Sequence, residues 1–330
     1  MVFVVGLALG FGGLYLVAGD QIFKIETYRV RDPSFPILVL CVVAFIAEWF
    51  VMDSARIWLL CRNQKIPLPF RSAILVHLTS MFVASVTPGN VGVGPTTAVA
   101  LRGLGVPFGK GVGVAIQVFI FDMIFFAWAV PLSLGYLIYS HTLRLPPGPE
   151  FAAFAIAGLA IVGAVFLTRY PRPVVRLILS SATWPVLSRF ASRLRKVARD
   201  YYRSAIAFRS MALSTWIMIN VVVAGGWFSG FVLFWLLLKL YGVEIDLLAT
   251  LAILTSVTLV SHLFPTPGGS GFMEAALGLS IGSSGGATAA LLIWRLASYH
   301  AIFLLGPPSA WLLYLSEPVT DETSKYERGN

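Results

Sequence analysis

The chain has 330 residues, of which 58% are hydrophobic and 12% charged, and a formal net charge of +9; its mean hydropathy is +0.83. This composition excludes a soluble globular protein, and apolar runs of roughly 18 to 30 residues, long enough for spanning helices, exclude a barrel built from ~10-residue alternating strands. The expected class is an all-α polytopic membrane protein.

Residues 2 to 19 are apolar but lack the basic start of a secretory signal, so they read as a retained helix. A second helix is expected from Pro36 to Leu60, carrying Glu48, Asp53 and Arg56. Asp53 and Arg56 are three apart, share a face and can pair. Cys41 and Cys61 lie at opposite ends of this helix, too far apart to bridge.

From Ser72 an apolar run meets Thr87-Pro88-Gly89-Asn90-Val91-Gly92 and resumes to Leu104, with Pro95 a natural first helical residue. The same interruption returns as Thr266-Pro267-Gly268-Gly269-Ser270-Gly271, between an arm from Leu247 to Phe264 and one from Phe272 to Ile281. Such breaks strip backbone groups of helical partners, which lipid cannot replace; they are tolerated where protein or a wet cavity surrounds them. Arms this short do not span comfortably, so each break is expected to sit in a re-entrant helical hairpin. Full helices are expected at Gly111 to Ser140, Phe151 to Leu167, 211 to 240 and Ala287 to Leu315.

Between the halves, Arg169 to Arg209 holds ten basic residues and one acid, Asp200. Within it Leu187, Phe190, Leu194, Val197, Tyr201 and Phe208 recur at helical spacing. Arg189, Arg193, Lys196, Arg199 and Arg203 fall on the other side. A basic amphipathic helix over 186–209 suits an anionic cytoplasmic leaflet better than nucleic acid.

With the N-terminus inside, 17 Lys and Arg fall in inside loops and five outside, obeying the positive-inside rule. The expected architecture is therefore about six full transmembrane helices plus two oppositely oriented re-entrant hairpins in an inverted repeat. Residues 1–60 are N-terminal helices, 71–170 the first repeat, 171–210 the basic cytoplasmic segment, 211–315 the second repeat and 316–330 a polar tail, all in a plasma (inner) membrane with both termini cytoplasmic. Paired breaks in corresponding halves point to a transporter site.

Ionisable residues inside a membrane mark function by default. Asp122 follows the first break and Arg295 the second, each in the next helix, so in a pseudo-symmetric fold the two are expected to pair or to face one cavity. Arg295 can donate bidentately to a phosphate. Glu274 lies within a turn of the second break, where a helix N-terminus favours a carboxylate; it can take a cationic headgroup or a proton. His77 and His262 have no metal-ligand spacing, and there is no phosphate-binding loop or Gly-x-Ser-x-Gly motif. No metal, cofactor or conventional enzyme is expected.

Phe264-Pro265-Thr266-Pro267-Gly268-Gly269-Ser270-Gly271-Phe272-Met273-Glu274-Ala275, followed by Trp294-Arg295, Tyr299 and Gly306, resembles the transmembrane region of lysylphosphatidylglycerol synthases and related stand-alone flippase-like membrane proteins. The first half is similar through Thr87-Pro88-Gly89, Gly92, Leu101, Gly105-Val106-Pro107 and Asp122. Val93 and Thr96 stand where many relatives carry an acidic and a basic residue, and the resemblance does not extend to the aminoacyl-transferase domain of bifunctional synthases. It implies movement between leaflets of a phospholipid, such as aminoacylated phosphatidylglycerol, or of a lipid-linked carrier. The expected ligand set is Arg295, Glu274, Asp122, Thr87, Gly89, Gly92, Thr266, Gly268, Gly269, Gly271 and Tyr299. The partners this reading admits are lipids with anionic or phosphate-containing headgroups and a second copy of the chain. A secondary transporter of a small anionic solute and an intramembrane enzyme acting on a lipid phosphate are the alternatives.

Overall fold

A computed structural model describes residues 35–140, 158, 162–163, 170–181, 191–262, 264, 266–282 and 284–316. Its elements are helices: α1 (Phe35–Asn63), α2 (Phe70–Ser85), α3 (Val93–Gly103), α4 (Phe108–Tyr139), α5 (Pro171–Ser181), α6 (Ala191–Arg209), α7 (Leu213–Leu240), α8 (Leu247–Ser261), α9 (Phe272–Ile281), α10 (Gly285–Arg295) and, after a π-helical turn at Leu296–His300, α11 (Ala301–Leu315). The expected helix at 2–19, that at 151–167 apart from 158 and 162–163, Leu187, Arg189, Phe190, Pro265 and residues 317–330 lie outside the described residues.

Three apolar stretches among the described residues are long enough to cross a membrane: Phe108–Tyr139, Leu213–Leu240 and the run Gly285–Leu315. Helix α1 is as long but carries Glu48, Asp53 and Arg56. The arms around the breaks are short, 16 and 11 residues for α2 and α3, 15 and 10 for α8 and α9. At about 1.5 Å per residue none reaches the ~30 Å of a hydrocarbon core. Helix α3 starts at Val93, not at Pro95. Pro95 still costs no hydrogen bond there, since the first-turn N–H groups have no intrahelical partner.

Packing exchanges the halves. Helix α2, before the first break, lies along α11, with Phe82 edge-on to Phe303 at 6.1 Å and against Gly306. Helix α8, before the second break, lies along α4. Each break-bearing unit therefore buries its first arm on the long helix of the other half. Helix α7 packs on α1 and α10, where Trp294 Nε1 donates to Gly230 O at 2.9 Å.

The basic helix α6 uses its buried face inside the protein. Ala198, Tyr201 and Ala205 are buried, and α6 lies so close to α4 that a Cβ on Gly113 would fall 1.9 Å from Ser204 Oγ. Buried Gln117 donates to both Ser204 O and Oγ at 3.2 Å and accepts from Gln64 at 3.2 Å, tying α1, α4 and α6. The apolar stripe expected to enter lipid thus seats α6 on its neighbour. Arg195, Lys196, Arg199, Arg203 and Arg209 remain exposed on the outer side.

Helix α8 starts at an Asp cap: Asp246 accepts from Ala249 N at 3.1 Å and from Tyr136 Oη at 2.8 Å. The tyrosine bond first, then the backbone N–H, holds the Asp246 carboxyl below its ordinary range. A depressed carboxylate contributes stability that is present above its unfolded pKa and lost as pH falls through the folded value, so an acid limb is expected below about pH 4. Asp246→Asn keeps the capping oxygen and removes the charge. Thermal unfolding followed from neutral to acid pH should show the limb flattened in this variant; identical limbs would refute the assignment.

Candidate functional site

The two Thr-Pro-Gly breaks meet. Pro88 and Pro267 face each other in an antiparallel bridge, and Gly89 N donates to Thr266 O at 3.4 Å. Backbone stripped of helical partners in one half finds them partly in the other, as a break away from water requires. Each break also closes on itself. Thr87 Oγ1 donates to Ala84 O at 2.9 Å and accepts from Gly92 N at 3.0 Å, while Gly269 N donates to Thr266 O at 3.2 Å.

Left-handed backbone makes the contact tight. Gly89 has φ +58° and Gly268 φ +59°. A Cβ on Gly89 would lie 3.0 Å from His262 O; one on Gly268 would lie 2.0 Å from the Tyr299 ring. Tyr299 seals the junction: its hydroxyl donates to Ser85 O at 3.0 Å and lies 3.4 Å from Pro267 O, touching both breaks. The π turn brings Tyr299 under Arg295, whose guanidinium carbon sits 4.5 Å from the ring centre. Extra residues inserted into a helix in this way often mark functional sites.

Arg295 and Glu274 form a buried pair, 4% and 0% exposed, with Nε donating to Oε1 at 2.6 Å. The other Glu274 oxygen accepts from Gly271 N at 2.6 Å, capping the first turn of α9. Arg295 Nη2 donates to Ser270 Oγ at 3.1 Å. The second break, the return helix and the last membrane-crossing run are thereby locked through one guanidinium. Amid these satisfied groups Thr266 Oγ1 is buried without a hydrogen-bond partner. Such an orphan hydroxyl at the junction calls for a ligand or water.

Asp122 is elsewhere. Its carboxylate accepts from Arg56 Nη1 at 2.5 Å and from Trp227 Nε1 at 3.2 Å; Arg56 also pairs with Asp53 at 3.0 Å. The expected Asp122–Arg295 pairing is corrected: each half supplies its own counter-charge. Helix α1 lays Arg56 against α4, and the first turn of α9 lays Glu274 against Arg295, so neither long-helix charge needs the other. The structure therefore gathers Thr87, Gly89, Gly92, Thr266, Gly268, Gly269, Gly271, Glu274, Arg295 and Tyr299 at or beside the junction and sets Asp122 in a second ionic cluster. The expected Asp53–Arg56 pair is present at 3.0 Å, but Ser270 and the contact of Arg56 with Asp122 were not expected. Ser270 stands inside the break motif, and Arg56 was visible as an arginine within an apolar helix.

Together these features define an integral membrane protein of helices in which two broken segments, one from each half of the chain, meet beside a buried ion pair. The chain belongs to the family described as the lysylphosphatidylglycerol synthase TM region, which it matches over residues 3–306. It is also similar to a UPF0104 membrane protein of Archaeoglobus fulgidus, 22% identical over 287 residues that cover 81% of this chain and 84% of the relative.

Proposed function

We propose that the protein is a flippase-like lipid transporter without covalent chemistry, carrying the phosphate-containing headgroup of a phospholipid or lipid-linked carrier past the junction of the two breaks while the acyl chains stay in the bilayer. The observation that carries this reading is the Pro88–Pro267 contact. Two broken segments from corresponding places in the two halves meet as they do around the central site of inverted-repeat transporters. The exchanged packing of α2 on α11 and α8 on α4 supports the same symmetry. In this reading the units 70–103 and 247–281 are oppositely oriented re-entrant hairpins among six spans, with the N-terminus, 171–210 and the C-terminus cytoplasmic in a plasma (inner) membrane.

Arg295 and Glu274 act as an internal substitute for substrate. A headgroup phosphate displaces the Glu274 carboxylate from the guanidinium, which is built to take two oxygens at once. The released carboxylate then accepts a headgroup amine, so an aminoacylated phospholipid satisfies both members of the pair. Thr266 Oγ1 adds a further hydrogen-bonding group. The exposed bases of α6 rest against the anionic leaflet, where each contributes about 1 kcal/mol.

Leaflet exchange in liposomes holding the purified protein is the test, using short-chain lipids with anionic, zwitterionic, aminoacylated and polyprenyl-phosphate headgroups. Headgroup-selective exchange is expected, greatest for a headgroup joining phosphate to amine. Folded protein that exchanges none of them defeats the proposal and favours a small soluble anion as cargo.

A further inference from the structure

The second ionic cluster is not consumed by the headgroup site. Around Arg56 stand Asp53 at 3.0 Å and Asp122 at 2.5 Å. Five residues before Asp53, Glu48 faces Gly225 of α7, its Oε2 buried without a hydrogen-bond partner. Three carboxyl groups stand against one guanidinium, so they cannot all be ionised without leaving negative charge unbalanced, a costly state inside a membrane protein. Into it points His77 of α2, 3% exposed. Its Nε2 lies 3.8 Å from Asp53 Oδ2 and makes no hydrogen bond. An unbonded imidazole nitrogen beside a carboxyl group that shares its one guanidinium with a second is a place for a proton.

We propose that His77 and Asp53, with Glu48, Arg56 and Asp122 around them, form a proton-binding site in which His77 Nε2 takes up one proton opposite the Asp53 carboxylate. The bond formed is N–H; the proton comes from water and returns to it, and nothing is oxidised or reduced. Access differs across the cluster in the way such a site needs. The Asp53 and Asp122 side chains keep 15% and 20% of their surface exposed, while those of His77 and Arg56 are sealed at 3% and 8%. Protons enter over the carboxylates and are held at the imidazole.

Neighbouring elements add neutral partners or distant charges. Helix α7 contributes the Trp227 indole N–H, and His262, just after α8, stands edge-on to that indole at 6.2 Å. His300 of the π turn is bound to Arg295 O at 3.0 Å. Asp200 of α6 abuts Gly109 in the first turn of α4, and Arg102 of α3 lies over Phe108 at 5.8 Å.

The cluster is joined to both breaks by rigid parts. Helix α2 carries His77 and ends at Ser85, whose carbonyl accepts from Tyr299 at the junction. From Asp122, Trp227 leads to His262, whose carbonyl abuts Gly89. Proton uptake that shifts α2 or Trp227 therefore acts on the contact between the breaks, a coupling that rests on the transport reading.

Trp49 reports the proton directly. Its ring stands 6.0 Å from His77, edge to face, and an imidazolium quenches a neighbouring indole where a neutral imidazole does so weakly. The full chain in nanodiscs is titrated from roughly pH 9 to 3 by tryptophan emission, in sodium and in choline buffers of equal ionic strength. A one-proton quenching step is expected, the same in both buffers. It should be lost in His77→Gln and in Trp49→Phe, and moved to lower pH in Asp53→Asn, because a facing carboxylate favours the imidazolium. Absence of the step, its survival in His77→Gln, or its replacement by a sodium-dependent change overturns the site. In liposomes, an imposed pH gradient should change lipid exchange several-fold in the wild type and not in His77→Gln. Exchange indifferent to the gradient overturns the coupling. Absence of exchange for every lipid brings down the transport reading, while the fluorescence step still decides the proton site.

Discussion

Replacing Arg295 by Gln is expected to lower the stability of the folded protein by about 3 to 5 kcal/mol, and replacing Glu274 by Gln as well should restore most of it. The asymmetry follows from burial. Glu274 is fully buried, with one oxygen on Arg295 Nε and the other on Gly271 N. Removing the guanidinium leaves a fully buried carboxylate with a single backbone donor. Removing both charges leaves two amides that can hydrogen-bond to each other. Thermal unfolding in detergent gives the stabilities; leaflet exchange on the same samples separates the roles. The double variant should be folded yet no longer prefer phosphate-bearing headgroups, since an amide lacks the charge to draw the phosphate from water. Arg295→Gln as stable as the wild type would show that the pair does not hold the second break in place.

Much of this site was legible in the sequence because backbone chemistry, not side-chain geometry, announces it. A Thr-Pro-Gly-x-x-Gly interruption in an apolar run has few places to go inside a membrane protein, and its recurrence pointed to both halves of the junction. The lengths of α2, α3, α8 and α9 were likewise set by the interruptions. Pairing across helices was not legible. Arg56, Asp122, Glu274 and Arg295 were all visible as charges in apolar helices, but which faces which depends on helix rotation and crossing, and nothing local encodes these. Sequence symmetry favoured Asp122 with Arg295, and packing of α4 on α1 gave Asp122 to Arg56 instead. The same limit applies to α6, whose spacing showed an apolar stripe but not that Gly109 and Gly113 of α4 would receive it. The π turn that brings Tyr299 under Arg295 has no sequence signal of its own.

Of Gly268, Gly89 and Gly94, alanine substitution should be most damaging at Gly268, weaker at Gly89 and slightly stabilising at Gly94. Gly268 has φ +59°, where an L-residue costs about 1 to 2 kcal/mol. Its added Cβ would sit 2.0 Å from Tyr299 Cε2, and forcing atoms into a filled site costs typically about 1 to 3 kcal/mol more. The ring cannot yield freely, because its hydroxyl is bound to Ser85 O and its face lies under Arg295. About 2 to 5 kcal/mol is therefore expected for Gly268→Ala. Gly89 has a similar φ of +58° but its added Cβ would meet His262 O at 3.0 Å and Phe264 O at 3.8 Å, so the backbone term dominates there. Asn90 beside it already holds φ +57° with a side chain, which shows that the first break tolerates one. Gly94 lies in α3 with nothing within 4 Å of its would-be Cβ, and Ala there gains about 0.5 to 1 kcal/mol. Unfolding midpoints of the three variants give the order. Gly268→Ala matching Gly94→Ala would mean that Tyr299 does not close the junction, and the contact between the breaks would then rest on the Pro88–Pro267 bridge and the Gly89–Thr266 hydrogen bond.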